Sequence, residues 1–146
     1  MDNVEVEILL VEDSLDDAEL TMRALRKNGV AKHIVHLKDG AEALDYLFGK
    51  GPYTGRNIEN KPKVILLDLK MPKVSGLEVL EKLVSDESTK RIPVVVLTSS
   101  KENPDIEKAY LLGANSYIVK PVDFSTFSQI VNELGMYWLL HNQSPV

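Results

Sequence analysis

The sequence predicts one α/β domain, a doubly wound five-stranded parallel sheet with helices on both of its faces. The chain has 146 residues, close to the roughly 150 residues of one domain. Short apolar runs alternate five times with longer amphipathic segments, as expected for successive βαβ units. Several of these runs contain no polar residue, which is typical of strands that are covered on both faces. Right-handed crossovers between such strands place helices on both sides of the sheet.

The five predicted strands are short. We predict them at Val6–Val11, Lys32–Leu37, Val64–Leu67, Val94–Leu97 and Ser116–Val119. The second has a weaker strand pattern than the others, and it contains His33 and His36. These two histidines are three positions apart, so on a strand they face opposite sides and cannot bind one metal ion together.

Capping signals mark the starts of four predicted helices. These signals are Ser14, the pair Asp39 and Glu42, the pair Ser75 and Glu78, and Asn103 followed by Pro104 as the first helical residue. The first helix is predicted to end at Asn28-Gly29 and the fourth near Gly113. A fifth helix is predicted from Phe124, because apolar residues recur after it at helical spacing. Residues 49–63 are rich in Gly and Pro and predict a long loop.

The composition excludes several classes of function. The chain has no cysteine, which rules out disulfide scaffolds, thiolate zinc sites and cysteine nucleophiles. It has 17 Lys and Arg against 22 Asp and Glu, a formal net charge of -5, so we expect no nucleic-acid partner. The acidic N-terminus lacks the features of a signal peptide, and no apolar run approaches the roughly 20 residues that span a bilayer. We therefore expect a cytoplasmic protein that does not bind a membrane.

Polar side chains follow most of the predicted strands, at the edge of the sheet where open α/β proteins bind ligands. They are Glu12, Asp13, Asp68, Thr98, Ser99 and Lys120. Three carboxylates in one small site raise each other's pKa unless a cation compensates them. Oxygen ligands of this kind suit Mg²⁺, and a lysine beside them suits phosphoryl transfer.

The segments that carry these residues resemble those of one protein family. They are Leu9-Leu10-Val11-Glu12-Asp13, Leu66-Leu67-Asp68-Leu69-Lys70-Met71-Pro72 with Gly76, Leu97-Thr98-Ser99, and Lys120-Pro121. Together they are similar to the motifs of response-regulator receiver domains, the CheY-like family. The resemblance extends from about Glu5 to Leu140. It implies a flavodoxin-like sheet with strand order 2-1-3-4-5 and a single receiver domain over residues 1–146, with no output domain.

The resemblance also implies a role for each site residue. Asp68 would accept a phosphoryl group from a phosphohistidine of a sensor histidine kinase. Asp13 and Asp68 would bind Mg²⁺ directly, together with the backbone carbonyl of Lys70, and Glu12 would act through a bound water. Lys120 would contact a phosphoryl oxygen. Such a protein is not an enzyme beyond its own phosphotransfer and autodephosphorylation.

Further implied features concern the switch. Thr98 would move toward the phosphoryl group while Tyr117 turns inward, and Ser99 stands beside Thr98 among the catalytic residues. The Lys120–Pro121 peptide would be cis, which aims the lysine at the phosphoryl group.

Two other functional classes use a similar set of residues. A haloacid-dehalogenase-like phosphatase would carry a second acid two residues after its nucleophile, where this chain has Lys70. A degenerate receiver, used only for binding, would lack the Asp, Thr or Lys, and none is missing here. The output stays open between transfer to a histidine phosphotransfer protein and binding of a target protein such as a motor or a kinase.

The end of the chain is apolar nearly all round a predicted helix, which exceeds what one sheet face requires. We predict that Met136, Tyr137, Leu139 and Leu140 form a homodimer interface. The alternative is that Trp138 and its neighbours fold back onto the domain. The Tyr-Trp ending and the long loop before the third strand also resemble stand-alone regulators of phytochrome-type histidine kinases.

Overall fold

The predicted sheet is present in a computed structural model of the chain. The structure describes residues 8–27, 29, 33–71, 73–99, 102–120, 125–126, 128–130 and 133. The strands are β1 (Ile8–Val11), β2 (Ile34–Leu37), β3 (Val64–Leu67), β4 (Val94–Thr98) and β5 (Ser116–Val119). They pair in parallel in the order β2-β1-β3-β4-β5, which confirms the predicted architecture.

The helices fill the connections between the strands. They are α1 (Leu15–Lys27), α2 (Gly40–Phe48), α3 (Gly76–Ser85) and α4 (Asn103–Leu111), and a short 3-10 helix at Gly51–Tyr53 lies in the predicted loop. The described residues between 125 and 133 are also helical. The dimer residues from Met136 to Leu140 and Pro121 of the predicted cis peptide lie outside the described residues.

The core consists of two apolar clusters, one on each face of the sheet. In β1, Leu9 and Val11 belong to the cluster under α2 and α3, whereas Ile8 and Leu10 belong to the cluster under α1. This division follows from the alternation of side chains along a strand. Because both faces are covered, a wholly apolar strand such as β3 is buried along its whole length.

At α2 and α4 the observed helix start differs in detail from the predicted one, whereas the start of α3 is as predicted. The capping box of α3 is complete between Ser75 and Glu78. At α2 only half of it forms, because the Glu42 carboxylate accepts hydrogen bonds from the Lys38 backbone N–H and the Tyr53 hydroxyl instead.

The N-cap of α4 is Glu102 rather than Asn103. The Glu102 carbonyl accepts hydrogen bonds from the backbone N–H groups of Asp105 and Ile106, so the first turn closes one residue earlier than predicted. Among the described helices, none is long and apolar enough to cross a membrane.

Candidate functional site

The site lies where β1, β3, β4 and β5 end, at one edge of the sheet. Val11 and Leu67 are register partners in neighbouring strands, so the acids that follow them leave the sheet side by side. The Asp68 backbone N–H donates to the Val11 carbonyl at 3.1 Å, and that of Lys120 donates to the Thr98 carbonyl at 2.7 Å. The backbone pairing of the sheet therefore fixes the backbone positions from which these side chains project.

Three carboxylates meet at this edge. Oxygen atoms of Glu12, Asp13 and Asp68 all lie within 4.8 Å of one another. Glu12 and Asp68 are buried, with 1% and 6% of their surface exposed, while Asp13 is exposed. Burial raises the pKa of Glu12 to about 7, a shift that the hydrogen bond from Lys120 opposes and the charge of Asp68 reinforces.

Lys120 supplies the positive charge of the site. Its ammonium donates hydrogen bonds to Glu12 Oε1 and Asp17 Oδ2, each at 2.8 Å, and lies 4.0 Å from Asp68 Oδ2. Burial favours the neutral amine, yet the hydrogen bonds to Asp17 and Glu12 outweigh it and raise the pKa of Lys120. The lysine is therefore a fixed cation among acids.

The donor set fits a hard divalent cation, since it consists only of oxygen atoms. Asp13 and Asp68 could bind such an ion directly. Both oxygens of Glu12 are already engaged, Oε1 by Lys120 and Oε2 by the Ser14 backbone N–H at 3.2 Å. Asp68 Oδ1 accepts a hydrogen bond from the Lys70 backbone N–H at 3.3 Å, which holds the loop after β3 close to this carboxylate.

Comparisons with known proteins place this arrangement in a family. The model of the response regulator receiver domain matches residues 8–132. The chain belongs to the response regulator receiver domain family. It is 45% identical over 139 residues to FilR2 of Methanothrix harundinacea, a probable methanogenesis regulatory protein, and the match covers 94% of this chain and 86% of FilR2.

Two solved structures are also similar to this receiver domain. One is the phosphorylated cyanobacterial phytochrome response regulator RcpA, with a TM-score of 0.87, 40% identity, and coverage of 98% of this chain and 100% of RcpA. The other is the Mn²⁺-bound response regulator Rcp1, with a TM-score of 0.85, 35% identity, and coverage of 97% of this chain and 99% of Rcp1.

The residues predicted to act as the switch of the receiver domain lie on β4 and β5. Thr98, the last residue of β4, is fully buried, whereas the following Ser99 is exposed. Tyr117 is half-buried on β5, and its ring lies 6.4 Å from that of Tyr110 on α4 in a tilted arrangement. Tyr117 therefore links β5 to α4.

Sequence reasoning missed two participants in this receiver site. The sequence pattern indicates Asp17 only as an acid in the first turn of α1, where it is favourable to the helix dipole, yet its carboxylate also binds Lys120. For His36 the sequence excludes only a metal site shared with His33. Its Nε2 donates to the Glu12 carbonyl at 2.8 Å, which braces the end of β1 from β2.

Proposed function

We propose that this receiver domain accepts a phosphoryl group on Asp68 from a phosphohistidine of a sensor kinase. The observation that carries this proposal is the position of Asp68, which is buried beside two further carboxylates and lies 4.0 Å from the Lys120 ammonium. A carboxylate nucleophile needs both a route for the donor and compensation for the charge that the phosphoryl group brings. The exposed Asp13 leaves the edge of the site open to solvent.

The chemistry is a displacement at phosphorus. An Asp68 carboxylate oxygen forms the new P–O bond while the P–N bond of the phosphohistidine breaks. The bonding electron pair stays with the imidazole nitrogen, which is protonated as it leaves. Lys120 donates a hydrogen bond to a phosphoryl oxygen, and Thr98 moves toward another. The acyl phosphate that results is labile, which suits a signal that must be reset.

Asp13 and Asp68 would hold Mg²⁺ with the backbone carbonyl of Lys70, and Glu12 would contribute through a water molecule. When bound, the ion supplies positive charge that offsets the developing negative charge on the phosphoryl oxygens. The Mn²⁺-bound form of Rcp1 supports a divalent cation in this receiver domain.

We infer that the partner of this receiver domain is a phytochrome-type histidine kinase. RcpA is a cyanobacterial phytochrome response regulator, and this chain matches it over its full length. A phosphatase is disfavoured, because the residue two positions after Asp68 is Lys70, whose ammonium pairs with Asp105 at 3.3 Å. The output would be a change in protein contacts, through onward phosphotransfer or a target protein.

The test is phosphoryl uptake followed by intact-protein mass spectrometry. With acetyl phosphate and Mg²⁺, the wild-type chain should gain one phosphoryl group. Asp68→Asn should abolish the gain and leave the circular dichroism spectrum unchanged. Asp45→Asn, a substitution of the same chemistry on α2, is the matched control and should behave as wild type. Uptake by Asp68→Asn at the wild-type rate would mean that another residue is the acceptor.

A further inference from the structure

Asp17 lies outside the carboxylate cluster, yet it binds Lys120, the lysine whose ammonium also contacts Glu12 in that cluster. Its Oδ2 accepts a hydrogen bond from Lys120 Nζ at 2.8 Å, as short as the bond to Glu12. The lysine side chain is 14% exposed, so these contacts decide where its ammonium sits. Each has the length of a charge-assisted hydrogen bond, about 2.7–2.9 Å.

The contact between Lys120 and Asp68 is longer than the two hydrogen bonds that the lysine donates to Glu12 and Asp17. At 4.0 Å the two groups attract each other but are not hydrogen-bonded. An oxygen added beyond the Asp68 carboxylate can therefore come within bonding distance of Nζ while the lysine keeps its other two bonds. A lysine bonded directly to Asp68 would fill that space and neutralise the nucleophile.

Both anchors of the lysine are fixed through Ser14. Its backbone N–H donates to Glu12 Oε2, and its hydroxyl accepts from the Asp17 backbone N–H, each at 3.2 Å. The Thr21 hydroxyl also donates to the Asp17 carbonyl at 2.9 Å. The first turn of α1 thus presents Asp17 to the site from a rigid element, although its side chain is 42% exposed.

We propose that Asp17 is a positioning residue that, together with Glu12, holds the Lys120 ammonium at a distance from Asp68. This inference rests on the proposed phosphoryl transfer and adds a fourth acid to the site. Without the Asp17 charge, one of the two charge-assisted bonds that hold the ammonium back is weakened. Lys120 then moves onto Asp68, where it blocks the nucleophile and competes with a metal ion for the same oxygen.

The test compares Asp17→Asn with Asp16→Asn. Asp16 is exposed in the same helical turn, so this control loses the same charge and the same interaction with the helix dipole. With acetyl phosphate and Mg²⁺, Asp17→Asn should be phosphorylated about tenfold to a hundredfold more slowly than wild type, the range expected for a misplaced group. Asp16→Asn should stay close to the wild-type rate. An Asp17→Asn rate that matches Asp16→Asn, or that exceeds wild type, overturns the inference.

A second comparison separates positioning from general damage. In a Lys120→Gln background, Asp17→Asn should cause no further loss of rate, because Asp17 acts through the lysine. An equal loss in both backgrounds would show that Asp17 acts by another route.

A third measurement needs no phosphoryl uptake. In isothermal titration with Mg²⁺, Asp17→Asn should bind the ion more weakly than Asp16→Asn, since Lys120 would compete for Asp68. Equal Mg²⁺ affinities would overturn the inference. A wild-type chain that takes up no phosphoryl group would instead refute the proposed function, and the Mg²⁺ comparison would still decide the role of Asp17.

Discussion

Gly76 packs so closely against the backbone carbonyl of Asp68 that a Cβ atom at position 76 would overlap with that oxygen. The Gly76 N–H also donates to the Leu69 carbonyl at 3.0 Å. The start of α3 is therefore pressed against the loop that leaves β3. Any side chain at this position must displace the backbone that carries the candidate nucleophile.

Gly76→Ala should destabilise the protein by about 1–3 kcal/mol, the usual cost of overpacking a tight site, and should slow phosphorylation. Urea unfolding measures the first effect and mass spectrometry the second. Gly55→Ala is the control, because a Cβ there meets no atom within 4 Å. If Gly76→Ala unfolds at the wild-type urea concentration, the close approach does not constrain the site.

Mg²⁺ should stabilise the chain, because it relieves the repulsion among Glu12, Asp13 and Asp68. At ten times its dissociation constant the gain should be about 1.4 kcal/mol, seen as a rise of about 4 °C in melting temperature. Asp13→Ala should remove most of this gain, and Asp16→Ala should keep it. A Mg²⁺ effect that survives Asp13→Ala would place the ion elsewhere.

Lys120→Ala should destabilise the protein in the absence of Mg²⁺ by about 3 kcal/mol. The cost arises because Glu12 and Asp68 lose their cation while they stay buried, and the partial exposure of Asp17 keeps it at the lower end of the range. Lys90→Ala is a matched control, since its partner Glu87 is exposed and surface pairs contribute little. Equal unfolding midpoints for the two variants would contradict this account of the buried lysine.

Arg56 should hold the loop at residues 49–63 in its folded conformation. Its guanidinium lies 3.9 Å from the centre of the Tyr46 ring, its Nε donates to the Tyr46 carbonyl at 2.7 Å, and its Nη1 donates to the Asn60 carbonyl at 3.1 Å. Arg56→Ala should cost about 2 kcal/mol and expose the loop to limited proteolysis. Arg56→Lys should not restore protection, because an ammonium cannot reproduce the planar fork. Lys61→Ala, at an exposed position of the same loop, is the control. If Arg56→Lys resists the protease as well as wild type does, the loop does not require a planar guanidinium.

The dimer remains a prediction from the sequence, based on aromatic and aliphatic residues that exceed the needs of one sheet face. Wild-type protein should sediment as a dimer at micromolar concentration. Tyr137→Ala combined with Leu140→Asp should return it to a monomer, while Leu15→Asp, at a position 71% exposed on α1, should not. A wild-type chain that stays monomeric with and without a phosphoryl mimic would exclude this interface.

The succession of strands and helices along the chain could be predicted from the sequence, because each element depends on a local pattern. A short, wholly apolar run such as Val64–Leu67 favours a strand buried on both faces, and Ser75 with Glu78 marks a helix start. The acids that follow the strands were also visible, since a parallel sheet brings strand ends to one edge. The kinds of side chain at the site, and the edge of the sheet where they lie, could therefore be predicted from the sequence.

Only the tertiary structure decided which of those groups contact one another. Asp17 and Lys120 are 103 positions apart, and no local pattern indicates that an acid in a first helical turn binds a lysine after the last strand. The same holds for Glu42, whose carboxylate accepts a hydrogen bond from the Tyr53 hydroxyl and does not complete the capping box of α2. Such contacts depend on side-chain geometry between remote segments, and this geometry exists only once the sheet has brought those segments together.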